Sequence, residues 1–304
     1  MNQATDENQA SQSSNAARAI IINVDDLGLS TAVNDAVLHL AEIGRIGASS
    51  YMVGGAISDN DISELKKRHI DVGLHLDLTG IFPSALRGSL KSIIIASYLR
   101  RFSAHQVTDN IKQQLDGFED RFNQAPIFID GHQHIHQFPV IRQCLINELI
   151  NRYSDEILQG KFSARVTTPL VNDLKSWIIY ALGGYAWRKS CEHNHIKTND
   201  KFGGVYNFEA TSQELVTFWE SWIKNAPLSA DLLSGILSQD SKRLAIPSRL
   251  SPTLIMCHPA APYHNWQDDI KAAREMEYQW LISAEFKDLL DKYNVRLMRW
   301  SDIK

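Results

Sequence analysis

Carboxylate and imidazole side chains recur in this sequence directly after short apolar runs. They are Asp25 and Asp26, His75, Asp130 and His132, and His258, and the guanidinium of Arg165 holds an equivalent position. Any one of these histidines alone is more often a structural or surface residue. Several acids and imidazoles at equivalent positions instead predict a single site for metal binding and proton transfer.

The apolar runs before these side chains predict buried β-strands. Residues 20–24 are mostly large β-branched aliphatics, and apolar residues alternate with other residues at period two in 70–78. Residues 253–257 form another apolar run that ends next to a polar side chain. Residues 105–123 carry apolar side chains at helical spacing. Alternating strands and helices predict an α/β fold with a parallel sheet and outer helices. The carboxyl ends of such strands share one face, where active sites gather.

The chemistry of these residues leaves alternatives open. The Asp25-Asp26 pair alone suits a solvated turn as well as catalysis or metal binding. One carboxylate with two imidazoles suits a divalent ion that keeps open positions for water and substrate. His132, His134 and His136 are spaced by two, so in an extended chain they could point the same way, and spacing does not rank them. A hydrated polar loop is the alternative interpretation of that run.

Length and composition exclude several classes of protein. The 304 residues fit one α/β barrel, and 44% hydrophobic with 22% charged residues is typical of a globular chain. A net charge of −4 and a pI near 6.3 argue against a nucleic-acid partner. Cys144, Cys191 and Cys257 form no paired motif, which favours buried thiols in a reducing cytoplasm over disulfides.

Domain boundaries follow from polar and mixed stretches. Residues 1–17 lack the basic start and apolar run of a signal peptide and predict a disordered tail, which leaves 18–304 as one domain. No apolar run reaches the roughly 18 residues of a membrane span. Residues 79–103 predict a lid or an inserted helix, and residues 228–251 predict a loop with a short helix.

Residues 174–189 are apolar and aromatic, with Lys and Arg near both ends. One interpretation is a helix packed on the barrel. The other is an interfacial segment that touches the inner membrane through Trp177 and Trp187.

Six short blocks follow one another along the chain: NVDDLGLS at 23–30, VGLHLDLTG at 72–80, IDGHQHIH at 129–136, ARV at 164–166, MCHP at 256–259 and AREME at 273–277. In this order they resemble the successive blocks of the YdjC-like (ChbG/HpnK) carbohydrate deacetylase family. The similarity runs from about residue 19 to the C-terminus. Its departures, at Val24, Leu27, Gly131 and Ala260, remove no ionisable group.

The resemblance implies a single irregular (β/α) barrel, similar to a TIM barrel, with its active site at the carboxyl ends of the strands. It also implies metal-dependent removal of the N-acetyl group of an amino sugar, with release of acetate. Carried onto this sequence, Asp26, His75 and His132 are the metal ligands, Asp25 is the catalytic base, and His134 is a reserve ligand. We expect one divalent ion, Zn²⁺ or Mg²⁺, although Mn²⁺ and Ni²⁺ also accept such donors.

The remaining candidate residues receive roles as hypotheses. His258 is the expected general acid. Arg165 and Asp130 form the expected substrate-binding group, in which Arg165 binds a sugar hydroxyl or a phosphate and Asp130 orients a ligand histidine. Arg165 and the 174–189 segment favour a lipid-linked substrate, such as a polyprenyl-phosphate N-acetylhexosamine, over a soluble chito-oligosaccharide.

Two other function classes fit parts of the pattern. A metal-dependent phosphoesterase also uses Asp and His at strand ends, although two-metal enzymes usually need more ligands than one acid and two imidazoles. A non-catalytic carbohydrate-binding protein on the same fold is the second alternative. The sequence is compatible with a homodimer.

Overall fold

The structure is a computed structural model that describes residues 17–228 and 252–303. The predicted disordered tail at 1–17 and the predicted loop at 228–251 lie outside the described residues, apart from Ala17 and Leu228. The single domain over residues 18–304 stays a prediction.

Nine strands alternate with helices along the described chain. The strands are β1 Arg18–Leu27, β2 Ala48–Tyr51, β3 Asp71–Leu76, β4 Phe128–Gly131, β5 Ser163–Ala164, β6 Lys197–Thr198, β7 Phe202–Gly203, β8 Thr253–Cys257 and β9 Val295–Leu297. The α-helices are α1 Thr31–Glu42, α2 Asp59–Lys67, α3 Leu90–Tyr98, α4 Ala104–Phe122, α5 Ile141–Leu158, α6 Leu174–Ile179, α7 Tyr185–His193, α8 Ser212–Asn225, α9 Lys271–Ile282 and α10 Ala284–Lys292. Shorter turns of 3₁₀ helix cover His132–Gln137 and Trp300–Asp302, and a π-helical turn covers Tyr180–Gly184.

The strands form one parallel sheet in the order β6-β5-β4-β3-β2-β1-β8-β7, and β9 also pairs with β1. The sheet curls into a half-barrel. After β5 the chain reaches β7, the strand at the opposite edge of the sheet from β6. There the N–H of Phe202 donates to the carbonyl of Thr168, and the N–H of Leu170 donates to the carbonyl of Phe202. The expected irregular (β/α) barrel is confirmed.

The central strand β1 is buried on both faces, as its run of β-branched residues predicts. Ile20 and Ile22 pack with the core between the sheet and the helices. Ile21 packs in a second cluster that includes Phe128 and Trp300, whose rings stack 4.7 Å apart. Apolar layers on both faces therefore fix the position and direction of β1, whose carboxyl end carries the aspartate pair.

The helical predictions hold with two refinements. The predicted helix at 105–123 is α4, which ends at Asn123 in a left-handed conformation. Of the two interpretations of residues 79–103, the structure contains the inserted helix, α3. Residues 174–189 divide into α6, the π turn and α7, because Gly183 at φ 136° interrupts the helix.

Within the described residues, no helix has both the length and the apolarity needed to cross a bilayer. Cys144, Cys191 and Cys257 are buried and carry free thiols.

Candidate metal and catalytic site

Asp25 and Asp26 lie at the carboxyl end of β1, where the strand departs from regular geometry. In a regular strand two adjacent side chains point to opposite faces and do not share a site. Here the pairing of β1 with β2 shifts register between Val24 and Leu27, and Asp26 takes a left-handed φ of 67°. Both carboxylates consequently line one pocket.

Asp26, His75 and His132 bring three metal-ligating groups together. Asp26 Oδ1 lies 2.9 Å from His132 Nδ1 and 3.3 Å from His75 Nε2. One ligand atom from each residue lies within 4.8 Å of the others. A carboxylate and two imidazoles at this spacing match the donor set of a catalytic divalent ion. The residues therefore fit the ion that the sequence implies.

His75 is oriented from behind by Asp130. The two residues are paired across β3 and β4, and His75 Nδ1 lies 2.6 Å from Asp130 Oδ1. A carboxylate on one ring nitrogen fixes the orientation of the imidazole and leaves the other nitrogen for a ligand. Burial lowers the pKa of His75, but the Asp130 carboxylate, together with those of Asp26 and Asp25, outweighs burial and raises this pKa to about 10. An ion at Nε2 therefore competes with a proton.

Arg274 on α9 binds the second oxygen of Asp26. Its Nη2 donates to Asp26 Oδ2 over 2.6 Å, and its Nε donates to Asp268 Oδ1 over 3.1 Å. Burial raises the pKa of Asp26, but the charges of Arg274 and then His132 outweigh burial and hold it well below its usual range. Arg274 leaves Oδ1 as the oxygen that faces both histidines.

Arg165 lies behind Asp25 and does not line the pocket. Its Nη1 donates to Asp25 Oδ2 over 2.7 Å, and its Nη2 lies 2.6 Å from Asp130 Oδ2. Burial raises the pKa of Asp25, but the Arg165 guanidinium outweighs burial and holds this pKa far below its usual range. The structure thus departs from the expectation that Arg165 contacts a sugar hydroxyl or a phosphate, whereas Asp130 orients a ligand histidine, His75, as expected. Both side chains are 0% exposed and already bound to each other and to site residues.

The histidines at 132, 134 and 136 do not point the same way, because the chain turns here. Gln133 and His134 take left-handed φ values of 53° and 60° inside the 3₁₀ turn. His132 faces Asp26, whereas His136 packs edge-on against Trp187. Burial lowers the pKa of His134 well below its usual range and that of His136 to about 3.

His134, the reserve ligand, lines the pocket but is not part of the three-residue cluster. Its ring meets Phe202 edge-on at 5.4 Å between centroids. The geometry therefore favours His132 as the third ligand.

His258 follows β8 and faces the same carboxylate that Arg165 holds. Its Nε2 lies 3.9 Å from Asp25 Oδ2. Burial lowers the pKa of His258 to about 4, so the imidazole is neutral at pH 7. Its backbone N–H donates to Glu277 Oε2, and the other oxygen of Glu277 accepts the hydroxyl of Tyr206 over 2.7 Å. Burial raises the pKa of Glu277 to about 7.

Sequence reasoning assigned no role to Arg274 or Glu277, although both lie in the AREME block. A signal was available in their spacing. Residues three apart share a helix face, and the buried face of α9 otherwise carries Ala273, Tyr278 and Leu281. Two charged side chains on such a face indicate buried partners.

The site opens into a pocket of about 560 Å³. Asp25, Asp26, His75, His132 and His258 lie in its wall, together with further polar side chains that include Lys175, Asp268, Asp269 and Arg274. Apolar side chains from several elements supply much of the remaining wall, among them Leu29, Met52, Ile94, Phe138, Ile179 and Phe208. This volume lies in the range of small-molecule sites.

Comparisons with known proteins place the fold and the family. The sequence model of the YdjC-like protein family matches residues 19–292. The structure of an Enterococcus faecalis protein named for cellobiose-phosphate cleavage is 15% identical, with a TM-score of 0.59, over 93% of this chain and 98% of that one. The catalytic domain of a peptidoglycan N-acetylglucosamine deacetylase from Eubacterium rectale is 11% identical, with a TM-score of 0.38, over 94% and 90%.

Proposed function

Because this chain belongs to the YdjC-like protein family, we propose that it is a metal-dependent carbohydrate deacetylase that removes the N-acetyl group from an amino sugar. The observation that carries the proposal is the cluster of Asp26, His75 and His132 beside the separately held carboxylate of Asp25. Ligands and base then belong to different side chains, which leaves Asp25 available to accept a proton from the attacking water.

Asp26, His75 and His132 would hold the ion. When bound, a divalent ion supplies a Lewis acid for the amide carbonyl and lowers the pKa of the attacking water towards about 7. Asp130 and Arg274 hold two of the ligand side chains in place through their hydrogen bonds.

Asp25 is the proton acceptor for the attacking water. Its ion pair with Arg165 keeps the carboxylate ionised at physiological pH and fixes its direction. The same ion pair makes Asp25 a weak base, because its pKa is held far below its usual range. A weak base passes its proton on readily, and the nearest imidazole nitrogen that lines the pocket is His258 Nε2, 3.9 Å away.

His258 delivers the proton to the leaving amine. The neutral imidazole can accept a proton from the Asp25 side and donate it to the amine nitrogen, which leaves poorly until it is protonated. Glu277 holds the backbone N–H of His258 and so positions the ring without touching the reacting atoms.

The geometry favours amide hydrolysis over two-metal phosphoester hydrolysis. Asp25, His75 and Asp130 also place ligand atoms within 4.8 Å of one another. However, Arg165 binds both of those carboxylates, and its positive charge opposes a second cation between them. These residues therefore support a single ion, next to a carboxylate, Asp25, that does not bind the ion and can act as the base.

The reacting unit of the substrate is an N-acetylhexosamine. It belongs either to a soluble chito-oligosaccharide or to a lipid-linked amino sugar such as a polyprenyl-phosphate N-acetylhexosamine. Acetate release from a panel of both classes, measured after reconstitution with Zn²⁺, Mg²⁺, Mn²⁺ or Ni²⁺, tests the proposal directly. Phosphate release from generic esters without acetate release from any amino sugar would assign the site to the phosphoesterase class instead.

Metal content provides a second test that does not require the right substrate. We expect His75→Ala to lose the bound ion, because it removes one of three ligands. His105→Ala, at an exposed histidine outside the site, is the matched control and keeps the ion. A stoichiometrically loaded His75→Ala protein would refute the ligand set.

A further inference from the structure

The exposed apolar side chains of this chain are concentrated on two helical segments. Among the described residues ten large hydrophobic side chains are exposed. Three of them lie on α3 or directly after it, and four lie on α6 or at the start of α7. These seven, here called the mouth surface, are Ile95, Tyr98, Leu99, Leu174, Trp177, Ile178 and Tyr185. Single exposed apolar residues need no explanation, but a concentration of this kind indicates an interaction site.

The two segments flank the same pocket. Ile94 of α3 and Ile179 of α6 both line it. Both helices also pack on the end of the 3₁₀ turn that carries the histidines and on the residues directly after it. The hydroxyl of Ser97 donates to the carbonyl of Pro139, and Gln137 Nε2 donates to the carbonyl of Ile179 over 2.9 Å. Each helix therefore has one face towards the pocket and a neighbouring apolar face towards solvent.

The charge of these segments opposes the charge of the whole chain. Residues 78–108 and 174–191 contain seven Lys and Arg and neither Asp nor Glu, whereas the net charge of the chain is −4. Arg188 and Lys189 pair with Glu192, but Lys91, Arg100 and Arg101 beside α3 are exposed. Exposed aromatic and aliphatic side chains with basic flanks match the surface of an anionic bilayer.

The structure also selects which tryptophan can take part. Trp187 is 0% exposed, and its indole N–H donates to the carbonyl of Arg165 over 2.8 Å. It is a core residue, so the sequence interpretation that paired it with Trp177 at a membrane is wrong for Trp187. Trp177 is 48% exposed.

We propose that the mouth surface docks this chain on an anionic lipid bilayer, with α3 and α6 as two apolar arms beside the pocket that both helices line. The contact is peripheral, and the pocket opens towards the lipid headgroups. The substrate of the reaction is then the lipid-linked class. That choice of substrate rests on the proposed deacetylation, whereas the docking does not.

Vesicle flotation of the purified full chain tests the docking. We expect co-flotation with vesicles that contain phosphatidylglycerol, and weaker flotation with phosphatidylcholine alone or at high salt. Ile95→Ser with Leu99→Ser disables the α3 arm, and Trp177→Ser with Ile178→Ser disables the α6 arm. Each pair should weaken binding about tenfold or more, because two buried apolar side chains are lost from the contact.

Leu158→Ser is the matched control, since Leu158 is 78% exposed at the far end of α5. It should float like the unchanged chain, and thermal unfolding should verify that every variant folds. The proposal is overturned if no vesicle binds the chain, if Leu158→Ser is as impaired as the arms, or if only one arm matters. It is also overturned if the arm variants dissociate a dimer of the chain that does not float.

Flotation and acetate release fail independently. A chain that floats but releases no acetate from any amino sugar keeps the docking surface and loses the proposed function. A chain that deacetylates only soluble oligosaccharides and never floats keeps the function and loses this inference.

Discussion

At the scale of single residues, the site is organised by two buried arginines. Arg165 binds the proposed base Asp25, and Arg274 binds the proposed ligand Asp26. Buried carboxylates without such partners would be costly and would tend to protonate. The two arginines therefore keep both acids ionised while separating their roles, since each carboxylate is held from a different side.

Asp25→Asn tests the role of the base. The amide keeps the shape of the carboxylate and can still accept a hydrogen bond from Arg165, but it cannot accept a proton. We expect acetate release to fall by about 10²- to 10⁴-fold. Metal content, measured by elemental analysis, should not change. An active Asp25→Asn enzyme would remove Asp25 from the mechanism.

Glu277→Gln tests the buried acid behind His258 through the pH dependence of stability. The folded pKa of Glu277 is raised to about 7 from an ordinary value of 4.5. Between these values the folded state binds a proton that the unfolded state has released, so stability falls as pH rises from about 4.5 to 7. The glutamine cannot ionise and should escape this loss.

Urea unfolding at pH 5 and pH 8, in a metal chelator, measures the effect. The measured quantity is the free energy of unfolding of Glu277→Gln minus that of the unchanged chain. This difference should be larger at pH 8 than at pH 5 by on the order of 2 kcal/mol. Parallel pH profiles for the two proteins would show that Glu277 has an ordinary pKa.

At the scale of elements, two interruptions of regular structure shape the site. The register shift of β1 brings adjacent aspartates to one pocket. The π turn after α6 lets the chain pass closely over Gln137, because Gly183 has no side chain. A regular strand would point the two adjacent aspartates to opposite faces of the sheet. A side chain at position 183 would prevent the close approach to Gln137.

Gly183→Ala tests the close approach at the π turn. A Cβ at this position would lie 2.2 Å from the backbone oxygen of Gln137, at a φ of 136° that L-residues rarely adopt. We expect the free energy of unfolding to fall by about 3 kcal/mol or more. The binding of a divalent ion should weaken too, since Gln137 ends the turn that carries His132.

Gly44→Ala is the matched control. Its φ is also positive, at 65°, but no atom lies within 4 Å of the added Cβ. Only the cost of the left-handed backbone remains, about 1 kcal/mol. Equal losses in the two variants, measured by urea unfolding, would show that the contact with Gln137 does not matter.

At the scale of the whole molecule, a bound ion would link distant parts of the barrel. Asp26 on β1, His75 on β3 and His132 after β4 come from separate strands, which an ion would hold together. A ligand that binds only the folded state stabilises it by mass action.

Metal removal tests this link. At a free ion concentration of about 100 times its dissociation constant, the chain should gain about 2.7 kcal/mol in free energy of unfolding over the chelated protein. Thermal unfolding with and without chelator measures the gain. His75→Ala should show none of it, and an equal gain in that variant would place the ion elsewhere.

The sequence by itself determined the fold class and most of the residues that meet in the site. Hydrophobic periodicity is a local property, so strands that end in acids and imidazoles could be found without coordinates, and parallel strands bring such ends to one face. The choice among His132, His134 and His136 was not local, because it depends on left-handed residues inside the turn.

Only the tertiary structure decided which charges are paired and which aromatic residues are buried. Arg165 lies 140 residues from Asp25, and Arg274 lies 248 residues from Asp26, yet each pair is in hydrogen-bond contact. Trp177 and Trp187 occupy one apolar segment, but one is exposed and the other is in the core. Such pairings follow from how the sheet curls and how the helices pack on it, and no short stretch of sequence carries that information.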